Sequence, residues 1–115
     1  MLVETEGVAS REGMRRINDA IVAHPERDDR RPIVVDHSRL DQRPLTVNVM
    51  PELADRTSTD YGPWRAPRAI VCPDSLGYGQ ARMWLANLTR ERQEMAGVFR
   101  SREQAVAWIR SFKLS

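Results

Sequence analysis

The apolar run "IVVDHS" ends in Asp36, His37 and Ser38. A carboxylate, an imidazole and a hydroxyl are the parts from which acid–base and nucleophilic catalysis are built. Their spacing works against a joint role. Neighbours on a strand point to opposite faces, so Asp36 and His37 diverge. A triad would need its nucleophile and orienting acid to converge from elsewhere, and no segment marks either. Cys72 lies in the buried-looking run "AIVC", where a thiol behaves as a small inert hydrophobe. His24 and His37 match no metal-ligand spacing. The expectation is therefore no catalytic residue, no metal and no cofactor.

A second stretch, residues 73–84, "PDSLGYGQARMW", follows "AIVC" and carries two glycines before an amphipathic pattern. A Walker-type loop needs Gly-x-x-x-x-Gly-Lys-Ser/Thr, and a dinucleotide loop needs Gly-x-Gly-x-x-Gly. Here only Gly77 and Gly79 are present, with Arg82 where the third glycine would fall. The stretch reads as a strand-to-helix joint. Asp74 or Ser75 caps the helix, and Gly77 and Gly79 permit close packing. Anion binding at this helix start is the alternative. Asp74 opposes it, because its own charge already serves the helix end. Ser75 is also a candidate for modification, against its plain role as a cap. Trp64, in "YGPWRAPR", is a candidate partner anchor or lid over an apolar ligand, against packing on a sheet edge.

The elements that must position these residues alternate. "MLVETEG" reads as a strand with one solvated face. Ser10 can cap a helix whose Met14, Ile17 and Ile21 form one stripe, ending at His24 and Pro25. "IVVDHS" and "AIVC" look like buried strands of a parallel sheet. Between them Pro51 leaves two readings: a kinked helix from near Thr46, or one starting at Pro51. A short helix over about 49–57 is favoured. A long helix follows Ser75, with Ala81, Trp84, Leu85 and Leu88 on its apolar stripe. "MAGVF" is a final strand, weakened by Gly97. Ser101 and Gln104 form a capping box, followed by Ala105, Trp108, Ile109 and Phe112 at helical spacing. This order predicts a single α/β domain over 1–115, with about four strands in a mixed or parallel sheet and about four helices.

Composition narrows the classes. The charge is +2, from 18 basic and 16 acidic residues, and Lys113 is the only lysine. The arginines are scattered among acids, as in "PERDDRRP" and "TRERQE", so a nucleic-acid face is not expected. No apolar run reaches the roughly 18 residues that span a bilayer. The start "MLVETEGVAS" lacks a basic leader region, which makes cytoplasmic residence the expectation. One cysteine excludes an internal disulfide.

The pieces "VETEGVAS", "IVVDHSRLD", "AIVCPDSLGYGQARMW" and "VFRSREQAVAWI" together resemble bacterial STAS-like proteins, which are similar to anti-sigma-factor antagonists. The resemblance implies a small α/β fold acting as a non-enzymatic interaction or regulatory module, with itself or another regulatory protein as partner. Two departures stand out. The family's first hairpin strand is missing ahead of "MLVETEG", so the start lies upstream or the sheet has a free edge open to self-association. The antagonists' Asp-Ser motif is replaced by "DHSRLDQRPLTVNV", in which Thr46 is the nearest hydroxyl to the helix start and Ser38 ends the strand. The alternative is a binder of a small apolar or acidic ligand at the strand ends, through Asp36, His37, Ser38, Asp74 and Ser75.

Overall fold

The structure is a computed structural model that describes residues 1–25, 28, 30–45, 47–60 and 64–112, with the backbone alone for 47 and 58–60. Four strands, β1 (Leu2–Val8), β2 (Ile33–Asp41), β3 (Arg68–Val71) and β4 (Ala96–Phe99), form one sheet. The strand order is β1-β2-β3-β4, and every pairing is parallel. The expected mixed or parallel sheet is thus parallel throughout. β2 opens with the apolar run 33–35 and β3 carries the run 69–71, because helices cover both faces there.

Each connection moves one strand over in the same direction. Crossovers of one hand then place their helices on one face. Three helices lie there: α1 (Arg11–Ala23), α2 (Met50–Asp60) and α3 (Ser75–Ala86). Ile21 of α1 and Ala81 of α3 pack on Ile33, Val35 and Ile70. Met50 and Leu53 of α2 join Leu40 and Leu45 beside Trp84. The opposite face is covered by α5 (Arg102–Ser111), whose Ala105, Trp108 and Ile109 pack on Val34, Ala69 and Val71.

Local signals explain most boundaries. Ser10 Oγ accepts from Gly13 N–H at 2.9 Å, and His24 is the C-cap of α1. A 3-10 turn over Val47–Val49 leads into α2, and Pro51 falls in the first helical turn. Its missing N–H has no partner to lose there. The expected long third helix is in fact two. Asn87 ends α3, and the one-turn α4 (Arg90–Gln93) is tied back by Gln93 Nε2, which donates to the carbonyls of Ala86 and Leu88. The capping box of α5 is offset by one residue. Ser101 Oγ accepts from Gln104 N–H, but Gln104 Oε1 accepts from Arg100 N–H. At the sheet edge, β1 carries a register shift between Glu4 and Glu6. A bulge and charged side chains both discourage open pairing of an edge strand.

Candidate functional site

The C-terminal end of β2 sends its polar residues to two different places. Asp36 points to the α5 face and is only 6% exposed. Arg102 donates to Asp36 Oδ2 twice, from Nε at 3.0 Å and from Nη2 at 2.8 Å. Asp36 Oδ1 accepts from the Ser38 backbone N–H at 2.9 Å and from the Ser38 hydroxyl. Glu4, on the neighbouring strand, reaches the same guanidinium at 3.4 Å. Burial opposes ionisation of Asp36, but the hydrogen bonds from Ser38 and Arg102 outweigh it and hold the carboxyl below its usual range. Both carboxylate oxygens are engaged. The arrangement clamps the first turn of α5 to the end of the sheet.

His37 points to the other face and is 5% exposed. Its Nδ1 is 2.6 Å from Thr5 Oγ1, and the Thr5 hydroxyl donates to the Asp36 carbonyl at 3.3 Å. Thr5 has one hydroxyl proton and two acceptors in reach, the Asp36 carbonyl and Nδ1, so the direction of the shorter bond follows the ring tautomer. The neutral imidazole has one nitrogen that donates and one that accepts. Burial lowers the His37 pKa to about 4, with the Asp36 charge opposing part of that shift.

The ring lines a cavity of about 70 Å³ between the sheet and α1–α3. Ile17, Ile21, Val35, Leu53, Ile70 and Trp84 supply apolar walls. Arg68 opens β3 on this same face, in phase with Ile70 and Cys72, and marks the opposite end of the cavity from His37. It donates to Asn18 Oδ1 at 3.0 Å and stacks over the Trp64 ring at 4.7 Å. Gln42 borders the cavity and donates to Cys72 Sγ at 3.3 Å. Burial is the main cause that pushes the Cys72 thiol up to about 11, which suits a packed rather than a reactive cysteine.

The remaining candidates separate from this cavity. Asp74 caps α3, with Oδ1 accepting from Gly77 N–H at 2.7 Å. Its carboxylate occupies the place an anion would need. The Ser75 hydroxyl lies 3.5 Å from Arg100 Nη1. Gly77 is buried, and a Cβ there would stand 3.2 Å from the Gln42 side chain. Gly79 is exposed, and a Cβ there would meet nothing within 4 Å. Close packing therefore accounts for Gly77 but not for Gly79. Trp64 is half-buried, with its ring 6.2 Å from Trp84 and a second guanidinium, Arg92, 5.4 Å from its centroid. Thr46 lies outside the described residues.

Of the eight candidate positions among the described residues, only His37 lines the cavity. Sequence reasoning missed Thr5, Gln42, Arg68 and Arg102. Arg68 carried a usable signal, since it is charged yet in phase with the buried residues of its strand. Arg102 carried none, because its partner Asp36 is 66 residues away. Among the described residues, no three His, Cys, Asp or Glu side chains converge to hold a metal, and no helix is long and apolar enough to cross a membrane. Compared with protein-family models, curated proteins and solved structures, the chain gives no match.

Proposed function

We propose that this chain is a non-enzymatic binding module that takes a small, mainly apolar molecule between its sheet and α1–α3. The cavity carries this reading. It is walled by aliphatic residues and Trp84, with a few convergent polar groups. Small-molecule sites have this make-up. The volume favours a compact guest. His37, a buried polar ring on the cavity wall, favours a guest with a hydroxyl, which can donate or accept. The divergence of Asp36 and His37 favours binding over turnover. Native mass spectrometry of freshly purified protein and thermal shifts with phenol and cyclohexanol test the reading. A retained mass or a concentration-dependent rise in Tm is expected. The rise should vanish in Val35→Ile, which narrows the cavity by one methyl group. No retained mass and no shift with either compound would sink it.

A second reading is a STAS-like interaction module acting through protein contacts in the cytoplasm. The parallel sheet with helices on both faces suits it at the level of fold, which is an associational warrant. The exposed apolar residues Leu76 and Met83 on α3 favour it more directly.

A further inference from the structure

The outward side of α3 is made of Ser75, Leu76, Gly79, Arg82, Met83 and Ala86, all exposed and each three or four residues from another of them. Leu76 is 49% and Met83 38% exposed. A helix side facing water normally carries charged and polar residues. Here Arg82 is the only charge. The inward side, with Gly77, Gln80 and Ala81, is already buried. The helix is therefore apolar on two sides, and only one of them is used by the fold.

Gly79 sharpens the point. It has no positive φ, and the space where its side chain would be is open. Neither backbone conformation nor internal packing calls for glycine. In a helix interior glycine is destabilising relative to alanine. A glycine of this kind suits the close approach of another backbone from outside. Leu76 and Met83 stand about 10 Å apart along the axis, two helical turns, with this notch between them.

The charges beside the strip indicate the partner's chemistry. Arg100 lies over the Tyr78 ring at 4.4 Å, and Arg82 lies 5.8 Å from the same ring. Among the described residues, neither guanidinium has an acid within ion-pair distance. Asp74, the acid at this end of α3, is engaged by the Gly77 N–H.

We infer that the outward side of α3 docks an acidic amphipathic helix of a partner protein, with apolar residues across Leu76, Gly79 and Met83 and carboxylates on Arg82 and Arg100. This is helix-on-helix packing, with contacts at i, i+3 or i+4, and i+7 of α3. It rests on the interaction reading and names its surface and partner chemistry.

The test uses the full chain and three fluorescein-labelled helical peptides: a leucine-striped peptide with glutamate flanks, the same stripe with lysine flanks, and a scrambled acidic control. Anisotropy should show the acidic striped peptide binding at about 100 µM or tighter, with the lysine peptide about tenfold weaker. Gly79→Gln and the double variant Arg82→Glu with Arg100→Glu should each weaken binding by about tenfold while circular dichroism stays unchanged. Amide shifts in a nitrogen-15 NMR spectrum should cluster on 75–87. Equal binding of acidic and lysine peptides overturns the proposal, as does full binding by Gly79→Gln. Shifts clustered elsewhere leave an interaction module but remove α3 as its surface. No binding by any peptide removes both. Sedimentation equilibrium showing a dimer that Gly79→Gln dissociates would assign the strip to a second copy instead.

Discussion

Acidification should destabilise this protein through one side chain, His37. The unfolded ring titrates near 6.5, whereas burial holds the folded ring to about 4. Between those values the unfolded chain binds a proton that the folded chain refuses. Stability is therefore complete above pH 6.5 and falls as pH drops towards 4. The gap of about 2.5 units corresponds to about 3 kcal/mol, with a steepest slope near 1.4 kcal/mol per pH unit. That is a large share of the stability of a domain this size. Carboxyls held low, such as Asp36 and Asp41, add their losses mainly below this window. Urea unfolding followed by tryptophan fluorescence at several pH values from 7 to 4 measures the slope. His37→Gln should start less stable at pH 7, because the Thr5 contact changes, but its curve should be nearly flat between 6.5 and 4. Proton NMR of the ring, assigned with His24→Gln, reads the titration directly. A His37 midpoint near 6.5 would refute the reasoning, and so would a variant with the wild-type slope.

Other substitutions probe the joints of the fold. Asp36→Asn removes a carboxylate that accepts from Arg102 and Ser38, and should cost about 2 kcal/mol in urea unfolding. A double-mutant cycle with Arg102→Met should assign most of that loss to the pair. Gly79→Ala should raise stability by about 1 kcal/mol, whereas Gly77→Ala should gain less or lose, because its Cβ presses on Gln42. Gly97→Ala places a Cβ 2.7 Å from the Phe99 ring, which packs on Trp108 at 5.4 Å, and should cost about 2 kcal/mol with a lowered Tm.

The elements were legible where one periodicity dominates. The stripe of α5 and the runs of β2 and β3 need no tertiary information, since a 3.6 repeat and an unbroken apolar run each admit few readings. The break between α3 and α4 was not legible. "LANLTRERQ" carries helix formers on both sides of Asn87, and the break there is held by a side-chain tie, Gln93 reaching back to the carbonyls of Ala86 and Leu88. The opposed faces of Asp36 and His37 followed from the strand period alone. The cavity did not, because its lining comes from five separate elements whose distances depend on packing. Gly97 reads as a weak point in "MAGVF" for the same reason. Only the packed structure shows the Phe99 ring occupying the space beside it.

The pair Gly77 and Gly79 shows where a stricter reading of the sequence would have reached further. Residues two apart on a helix differ by about 200° around its axis. Two such glycines cannot both press against one sheet. If Gly77 is the buried one, fixed by Gln42 and the Asp74 cap, then Gly79 must face away from the sheet. The same rotation carries Leu76 and Met83 outward, because each lies within one turn of the Gly79 side. The buried cap contact therefore decides the orientation of the whole helix. An apolar residue on its far side is then a consequence of that orientation, not an accident of the side chain's rotamer. What the rotation leaves open is why leucine, glycine and methionine occupy positions where water would tolerate glutamate or lysine. Two apolar anchors two turns apart with a glycine between them fit the partner helix proposed above.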